Sequence, residues 1–323
     1  MFAFSPAKKC ATVKKSTKFG DYLDPLSPLD YFKLDYGDKS IIVESTLKEI
    51  YASPFPGFNR IVEIPLEKLA STAEKKVDIS TSVYFCLMCS VDRAHAIAAS
   101  GLSEVMPFVN QYFESVSGDS FYPEILDLYN IWNGLCSQKP EVVIEIGGGV
   151  STSLISYYCS NFNAKHILID PEEYWVQNTF SGLEKCGLTP PFYSPLQVIE
   201  KDATKAVGID FANSTFDKKT YYDFDYANSF LLDNISNSSK KLVFVDANCD
   251  KSFFQGGEIF IDPVMSPMLS NSLILVDWRL TACTLLSGME NIKSVYSTNT
   301  EILFDKFPSV GNMINYGFSA FTY

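Results

Sequence analysis

The residues of this chain that could do chemistry begin with a glycine-rich segment near its middle. Residues 141–152 run from a short apolar stretch through the carboxylate of Glu145 and three glycines to the hydroxyl of Ser151. Glycine allows positive φ and leaves room where a Cβ would stand, and the first N–H groups of a helix donate hydrogen bonds to ligands. The segment therefore predicts a strand, a tight turn through Gly147 and Gly149, and a helix N-terminus that together hold a nucleotide-like ligand.

Further carboxylates follow apolar runs downstream. Asp170 ends the run 166–170, and in a nucleotide-binding α/β sheet a carboxylate at this place binds ribose hydroxyls. Pro171 comes next and is expected to cover one face of the nucleotide's base. Asp246 and Asp277 end two more apolar runs and are expected at the same edge of the sheet. The alternative for both is that they cap helix or loop amides.

An alternating framework of strands and helices must position these residues. Strands that alternate with helices imply right-handed crossovers and a doubly wound, mostly parallel sheet. The turn-rich link 307–311 is short, which favours an antiparallel hairpin of the last two strands. The seven predicted strands are 142–146, 166–170, 196–201, 241–246, 272–277, 292–304 and 312–322, and the predicted helices are about 102–115, 123–136, 150–160, 172–186, 226–235 and 252–269.

Composition and charge narrow the class of protein. The 323 residues are 46% hydrophobic, enough for one large domain or two. The formal net charge of −12 argues against a nucleic-acid partner, because phosphate binding requires clustered Lys and Arg. No stretch approaches the roughly 20 apolar residues that span a bilayer, and no secretion signal is recognised. Since eight scattered cysteines also suit a reducing compartment, we expect a cytoplasmic protein without a membrane partner.

The chain divides into three parts. Residues 1–30 form a basic arm, with five lysines and no acidic residue in its first 20 positions, and such arms are typically solvated. Residues 31–120 mix strand-like and helical patterns, and we interpret them as an α+β extension that serves as a lid or dimerisation region. Residues 121–323 form the ligand-binding domain. Whether the chain forms a homodimer stays open.

The order and spacing of the glycine segment and the carboxylates resemble the class I S-adenosylmethionine-dependent methyltransferases. The resemblance covers roughly residues 125–323. Residues 145–151 look like that family's acid-x-Gly-x-Gly-x-Gly loop, with Ser151 in place of the last glycine. The run 201–203, Lys-Asp-Ala, is similar to the family's Gly-Asp-Ala element. The resemblance implies a Rossmann-like methyltransferase fold and S-adenosyl-L-methionine as cofactor.

The same resemblance implies a role for each matching residue. Glu145 would take up the amino group of the cofactor or order waters beside it, while the glycines leave room for its methionine part. Asp170 would bind both ribose hydroxyls. Asp202 would accept a hydrogen bond from the exocyclic amine of adenine, and the Ala203 amide would face the ring.

The strands that end at Asp246 and Asp277 are similar to those of the catechol and caffeoyl-CoA type of O-methyltransferase. That likeness implies that both carboxylates hold Mg²⁺ or Ca²⁺, which lowers the pKa of the substrate hydroxyl, and that Asp246 is catalytic. Trp278 stands where the family has Asn as a third ligand, and Asn248 ends the family's Asp-Ala-Asp element. Both changes remove or weaken oxygen ligands, so the divalent cation is left open.

Four residues are candidates for the acceptor pocket. Asp250 could serve as a ligand or a base, and Trp278 and Arg279 could line the pocket, with Arg279 clamping an anionic group. Tyr222 lies in the ring-rich run 221–226, interpreted as part of a substrate wall. The alternatives are a solvated loop carboxylate, an ordinary surface arginine and an insertion that packs its own rings.

We therefore expect S-adenosylmethionine-dependent methyl transfer to a small molecule, at oxygen. A methyltransferase-like binding or scaffold protein without turnover is one alternative, and an NAD-dependent oxidoreductase is another. Gly147-x-Gly149-x-x-Thr152 partly matches a dinucleotide fingerprint. Two features count against it: Thr152 stands where Gly or Ala allows close helix–strand packing, and Glu145 is a poor neighbour for a pyrophosphate.

Overall fold

The computed structural model describes residues 34–35, 64–65, 97–116, 124–201, 219–235, 239–247, 252–297 and 317–323. A two-residue parallel pair joins Leu34–Asp35 to Ile64–Pro65. The longer strands within these ranges are β1 (Val142–Ile146), β2 (Lys165–Asp170), β3 (Phe192–Pro195), β4 (Gln197–Lys201), β5 (Lys219–Asp223), β6 (Lys241–Val245), β7 (Ser272–Asp277), β8 (Lys293–Ser297) and β9 (Phe318–Thr322).

Seven of these strands form one sheet, in the order β8-β9-β7-β6-β1-β2-β3. The pairs among β1, β2, β3, β6 and β7 are parallel, whereas β9 runs antiparallel to both β7 and β8. The predicted doubly wound, mostly parallel sheet with an antiparallel C-terminal pair is therefore confirmed.

Helices cover both faces of the sheet. The helices are α1 (Met106–Ser115), α2 (Ile125–Gln138), α3 (Val150–Phe162), α4 (Glu173–Lys185), α5 (Asp225–Asn234), α6 (Met265–Met268) and α7 (Leu280–Ser287). One hydrophobic cluster joins α1 to α4 with alternate residues of the strands, such as Val143 and Phe244, and a second joins α5 to α7 with the intervening residues, such as Ile144 and Val243. Because both faces are covered, β1 and β6 are buried along their whole length and consist almost entirely of apolar residues.

The structure corrects the predicted third strand. The edge of the sheet is β3, which pairs with β2, whereas residues 197–201 pair antiparallel with β5 in a separate two-stranded ribbon. Pro195 ends β3, a position that an edge strand tolerates because its outer side carries no ladder hydrogen bonds. The apolar run 196–201 therefore predicted a strand correctly but assigned it to the wrong sheet.

The helix predicted at 252–269 is also wrong. Its place is taken by turns, a 3₁₀ segment Gly257–Phe260 and the short α6. Gly256 adopts φ +97°, a conformation that interrupts a helix, and Pro263 and Pro267 each remove a backbone donor. The last two strands were predicted at 292–304 and 312–322. The structure shows β8 and β9 within these ranges, and residues 298–316 lie outside the described part of the chain.

Residues before the predicted domain boundary at 121 pack into the same core. Ala98, Leu102, Val105, Val109 and Tyr112 belong to the cluster formed with α2 and α3. We therefore draw the domain to include residues 97–116. The basic arm 1–30 and most of the extension 31–120 lie outside the described residues, and none of the described helices is long and apolar enough to cross a membrane.

Candidate functional site

The turn after β1 depends on glycine at position 147. Gly147 has φ +95°, and a Cβ there would lie 2.4 Å from the carbonyl oxygen of Asp246. Its N–H donates to the carbonyl of Ile169 at 2.9 Å. The loop therefore crosses directly over the ends of β2 and β6, and any side chain at 147 meets backbone rather than a movable neighbour.

Gly149 has a different reason to be glycine. It is the N-cap of α3 with extended backbone, φ −176°, so its conformation suits any residue. A Cβ at this position would meet no atom within 4 Å. The space beside Gly149 is therefore open, as a site for a ligand that approaches the backbone requires.

Two neighbours hold the Gly149 backbone in place. The N–H of Gly149 donates to the hydroxyl of Thr152 at 2.9 Å, and the hydroxyl of Tyr112 donates to its carbonyl at 3.3 Å. Burial raises the pKa of Tyr112 to about 12, so its hydroxyl keeps its proton and remains a donor. Sequence reasoning missed the roles of both residues, and nothing in the local pattern around Tyr112 on α1 indicates its contact with the loop.

Asp170 joins the end of β2 to the glycine loop. Its Oδ2 accepts from the N–H of Gly148 and its Oδ1 from the N–H of Glu172, both at 2.7 Å. Burial raises the pKa of Asp170 to about 6, although these two donors act in the opposite direction. Each carboxylate oxygen can accept a second hydrogen bond. Asp170 is therefore fixed beside the open space at Gly149 with acceptor capacity remaining.

Glu145 is engaged inside the protein. It is fully buried, with Oε1 accepting from the Ser151 hydroxyl at 2.9 Å and Oε2 lying 3.0 Å from Nε2 of His166. Nδ1 of His166 lies 3.1 Å from the Ser156 hydroxyl, so both ring nitrogens have a hydrogen-bonding partner. Glu145 and Ser151 therefore brace the loop from beneath, and this geometry does not support the expected contact of Glu145 with the cofactor's amino group.

His166 is buried, since 5% of the residue is exposed. Its contact with Glu145 was missed. Polar residues at 145 and 166, each within an apolar strand and both on the α3 side, were the available signal.

Asp246 is paired with Arg279. Asp246 follows β6 and is 28% exposed, and the Arg279 guanidinium, 13% exposed, donates from Nη2 to Oδ1 of the carboxylate. The same Nη2 donates to the Asp246 carbonyl at 3.0 Å, and Nε donates to the carbonyl of Ala247. Burial raises the pKa of Asp246 to about 6, against the lowering effect of Arg279.

Arg279 also acts electrostatically on two further carboxyls. Asp277 ends β7, and Asp127 stands in the first turn of α2, a helix that packs over β6 and β7. Oδ1 of Asp127 and Oδ1 of Asp277 are buried without a hydrogen-bond partner. Burial raises the pKa of both groups well above the ordinary value. The charge of Asp277 adds to the rise at Asp127, that of Asp246 adds to the rise at Asp277, and Arg279 lowers the pKa of both. Asp127, which is 4% exposed, was missed by sequence reasoning because it reads as an ordinary first-turn acid of a helix.

The remaining predicted site residues have mixed outcomes. Tyr222 is 2% exposed and packs in the second hydrophobic cluster, so we leave it out of the proposed site. Trp278 has φ +49°. Its ring packs against Gly317 and lies 3.2 Å from the place where a Cβ at position 317 would stand. Pro171 is partly exposed beside Asp170. Three predicted residues, Asp202, Ala203 and Asp250, lie outside the described residues.

The donor set does not fit a divalent cation. Oδ1 of Asp246 is taken by a guanidinium, Trp278 supplies no oxygen from its side chain, and a hard cation such as Mg²⁺ prefers several oxygen ligands. No group of three or more His, Cys, Asp or Glu side chains able to hold a metal ion is found in the part of the chain that the structure describes.

Comparison with known proteins gives distant structural likenesses. No family model and no curated protein match the chain. It is similar to an O-methyltransferase from Bacillus cereus in complex with SAH, with 12% identity and a TM-score of 0.40 over 69% of this chain and 90% of that one. It is also similar to a SAH-bound methyltransferase from Podospora anserina, with 14% identity and a TM-score of 0.37 over 72% of this chain and 95% of that one.

The O-methyltransferase TomG from Streptomyces achromogenes, in complex with SAM, gives 14% identity and a TM-score of 0.33 over 71% of this chain and 88% of that one. At such identities and TM-scores these likenesses decide nothing. The fold assignment rests on the strand order, and the site rests on the contacts described above.

Proposed function

We propose that this chain is an S-adenosylmethionine-dependent methyltransferase. The observation that carries the proposal is the pairing of Asp170 with the glycine loop beside the open space at Gly149. A fixed carboxylate with spare acceptor capacity suits the two ribose hydroxyls of an adenosyl group, and a backbone without a Cβ leaves room for its methionine part. No basic side chain lies in the loop, which suits a sulfonium ligand better than a pyrophosphate.

The acceptor subsite is proposed at the ends of β6 and β7. The cofactor, when bound, supplies an electrophilic methyl group, so the protein has to orient the acceptor and take its proton. Asp246 is proposed as the base, because it is partly exposed, lies at the same edge of the sheet as Asp170 and has a pKa raised to about 6 by burial. A carboxylate with a raised pKa accepts a proton more readily than an ordinary one.

The acceptor is proposed to be a small molecule methylated at oxygen, and the protein to act in the cytoplasm. Asp246 suits a hydroxyl whose proton leaves as the new bond forms. The predictions for Asp202, Ala203 and Asp250, and that of a homodimer, remain proposals.

Calorimetry separates this proposal from its alternatives. We expect saturable binding of S-adenosylmethionine and S-adenosylhomocysteine, and no binding of NAD. Incubation with a small-molecule extract and S-adenosylmethionine labelled in its methyl group should then transfer label to a low-molecular-weight product. Cofactor binding without transfer to any extract would favour the scaffold alternative, and saturable NAD binding would indicate an oxidoreductase. Asp246→Asn should lose most of the transfer while keeping its affinity for S-adenosylhomocysteine.

A further inference from the structure

Asp246 and Asp277 lie next to each other at the ends of two neighbouring strands. Val245 of β6 lies opposite Val276 of β7 in a parallel register, so the next residues, Asp246 and Asp277, are also cross-strand neighbours. Adjacent strands lie about 4.8 Å apart. Leu242 and Phe244 of β6 and Leu273 and Leu275 of β7 all belong to the cluster on the α1–α4 side, and the period of two places both aspartates on that same side.

Arg279 supplies a positive charge at this place. Its guanidinium binds three oxygens at the end of β6, namely the Asp246 carboxylate, the Asp246 carbonyl and the Ala247 carbonyl. Its positive charge also acts on Asp277 and on Asp127, which approaches from the first turn of α2. A planar guanidinium with several donors is suited to such a set of oxygens. The guanidinium is therefore a fixed positive charge bound to the Asp246 carboxylate, and its effect extends to the carboxyls of Asp277 and Asp127.

The residue after Asp277, Trp278, also supplies no side-chain oxygen ligand for a metal ion. Trp278 follows Asp277 directly. Its ring lies on Gly317, and its backbone N–H donates to the Gly317 carbonyl at 2.9 Å. This position therefore contributes packing against the start of β9 in place of an oxygen ligand. The missing oxygen ligand at Trp278 and the Arg279 guanidinium bound to Asp246 both disfavour a metal ion.

We propose that Arg279 is a built-in cation that takes the place of a divalent metal ion beside the acceptor, so that methyl transfer by this chain is independent of metal. The inference rests on the proposed function for its reaction, but the charge arrangement itself can be tested without an acceptor. In the reaction Arg279 positions Asp246 and offers positive charge to the acceptor oxygen. This assignment differs from the predicted clamp on an anionic group, since the partners observed for Arg279 belong to the protein.

Mn²⁺ is the probe for this site, because its electron paramagnetic resonance signal is lost when the ion binds protein. The wild-type chain should leave the Mn²⁺ signal unchanged. Arg279→Met removes the charge but keeps much of the side-chain length, and should bind one Mn²⁺ per chain because Asp246 and Asp277 are left uncompensated. Adding Asp246→Asn to that variant should abolish the binding. Lys185→Met, which removes an exposed cation on α4, is the matched control and should behave as wild type.

Two results would overturn the proposal. One is Mn²⁺ binding by the wild-type chain that Asp246→Asn removes, which needs no Arg279 variant and therefore decides the matter even if Arg279→Met does not fold. The other is a folded Arg279→Met variant, verified by circular dichroism, that binds no Mn²⁺. S-adenosylhomocysteine binding is measured on the same samples, so that failure of the proposed function is recognised separately from failure of the built-in cation.

Discussion

Valine in place of Gly147 should destabilise the fold, whereas valine in place of Gly149 should leave the fold stable and weaken cofactor binding. At Gly147 a valine would have to adopt φ +95° and place its Cβ 2.4 Å from the Asp246 carbonyl oxygen. Side chains at positive φ cost more than about 1 kcal/mol, and overpacking costs about 1–3 kcal/mol. The sum is about 2–4 kcal/mol, a large part of the about 5–15 kcal/mol that stabilises a folded domain.

At Gly149 the Cβ of a valine would meet no atom within 4 Å, and the residue needs no unusual φ. The remaining cost is a weaker N-cap for α3, about 0.5–1 kcal/mol. The isopropyl group would, however, fill the space that we assign to the cofactor. Overpacking of about 1–3 kcal/mol corresponds to an affinity about 5-fold to 150-fold lower, since each 1.4 kcal/mol is about tenfold.

Thermal unfolding and calorimetry read these two effects separately. Gly147→Val should lower Tm by about 5–15 °C, and Gly149→Val by no more than about 4 °C, because about 1 kcal/mol shifts Tm by about 2–4 °C in domains of this size. Only Gly149→Val should stay close to wild-type stability while losing affinity for S-adenosylhomocysteine. A stable Gly149→Val variant with wild-type affinity would refute the assignment of the open space, and a Gly147→Val variant of wild-type Tm would refute the close backbone approach.

Four further predictions concern individual contacts. Burial raises the pKa of Asp170 to about 6, and the ionised form accepts hydrogen bonds from ribose better. The affinity for S-adenosylhomocysteine should therefore fall about tenfold per pH unit below about 6. Calorimetry on Asp170→Asn should show weak, nearly pH-independent binding, and a variant with the wild-type pH profile would contradict the role of Asp170 in binding ribose. The same raised pKa disfavours the ionised folded state, so the contribution of this group to stability without ligand should increase as pH falls from 7 towards 4, which urea titrations of wild type and Asp170→Asn test. Tyr112→Phe removes the hydroxyl that donates to the loop and also bonds to Thr179. It should lower the free energy of unfolding in urea titration by about 0.5–1.5 kcal/mol for each hydrogen bond lost, and no loss would show that the 3.3 Å contact with the loop contributes nothing. Gly182→Val places a Cβ 2.6 Å from Val116 and should cost about 1–3 kcal/mol, whereas the exposed Ser181→Val control should cost less; equal stabilities would argue against close packing of α1 on α4.

The sequence predicts the central part of the sheet well for a physical reason. Strands such as Val142–Ile146 and Ser272–Asp277 are buried on both faces, so their apolar runs are long and clearly bounded. Edge elements lack this signal. Phe192–Pro195 is an edge strand with a proline and an exposed phenylalanine, and it was missed because it pairs on one side only.

The candidate site divides in a similar way. Gly147, Gly149, Asp170 and Asp246 follow from local rules about strand ends and turns, and the structure brings them to one edge of the sheet. Contacts between residues far apart in sequence do not follow from such rules. Asp127 approaches Asp277 only because α2 packs across β6 and β7, which no local pattern around residue 127 indicates.

The proposed cofactor site at Asp170 and Gly149 can be observed in a crystal structure of the chain soaked with S-adenosylhomocysteine. We expect electron density for the adenosyl group with both ribose hydroxyls on the Asp170 carboxylate and the homocysteine part passing over Gly149. Density at another surface, or an occupied site in which Asp170 keeps only its contacts to Gly148 and Glu172, would contradict it.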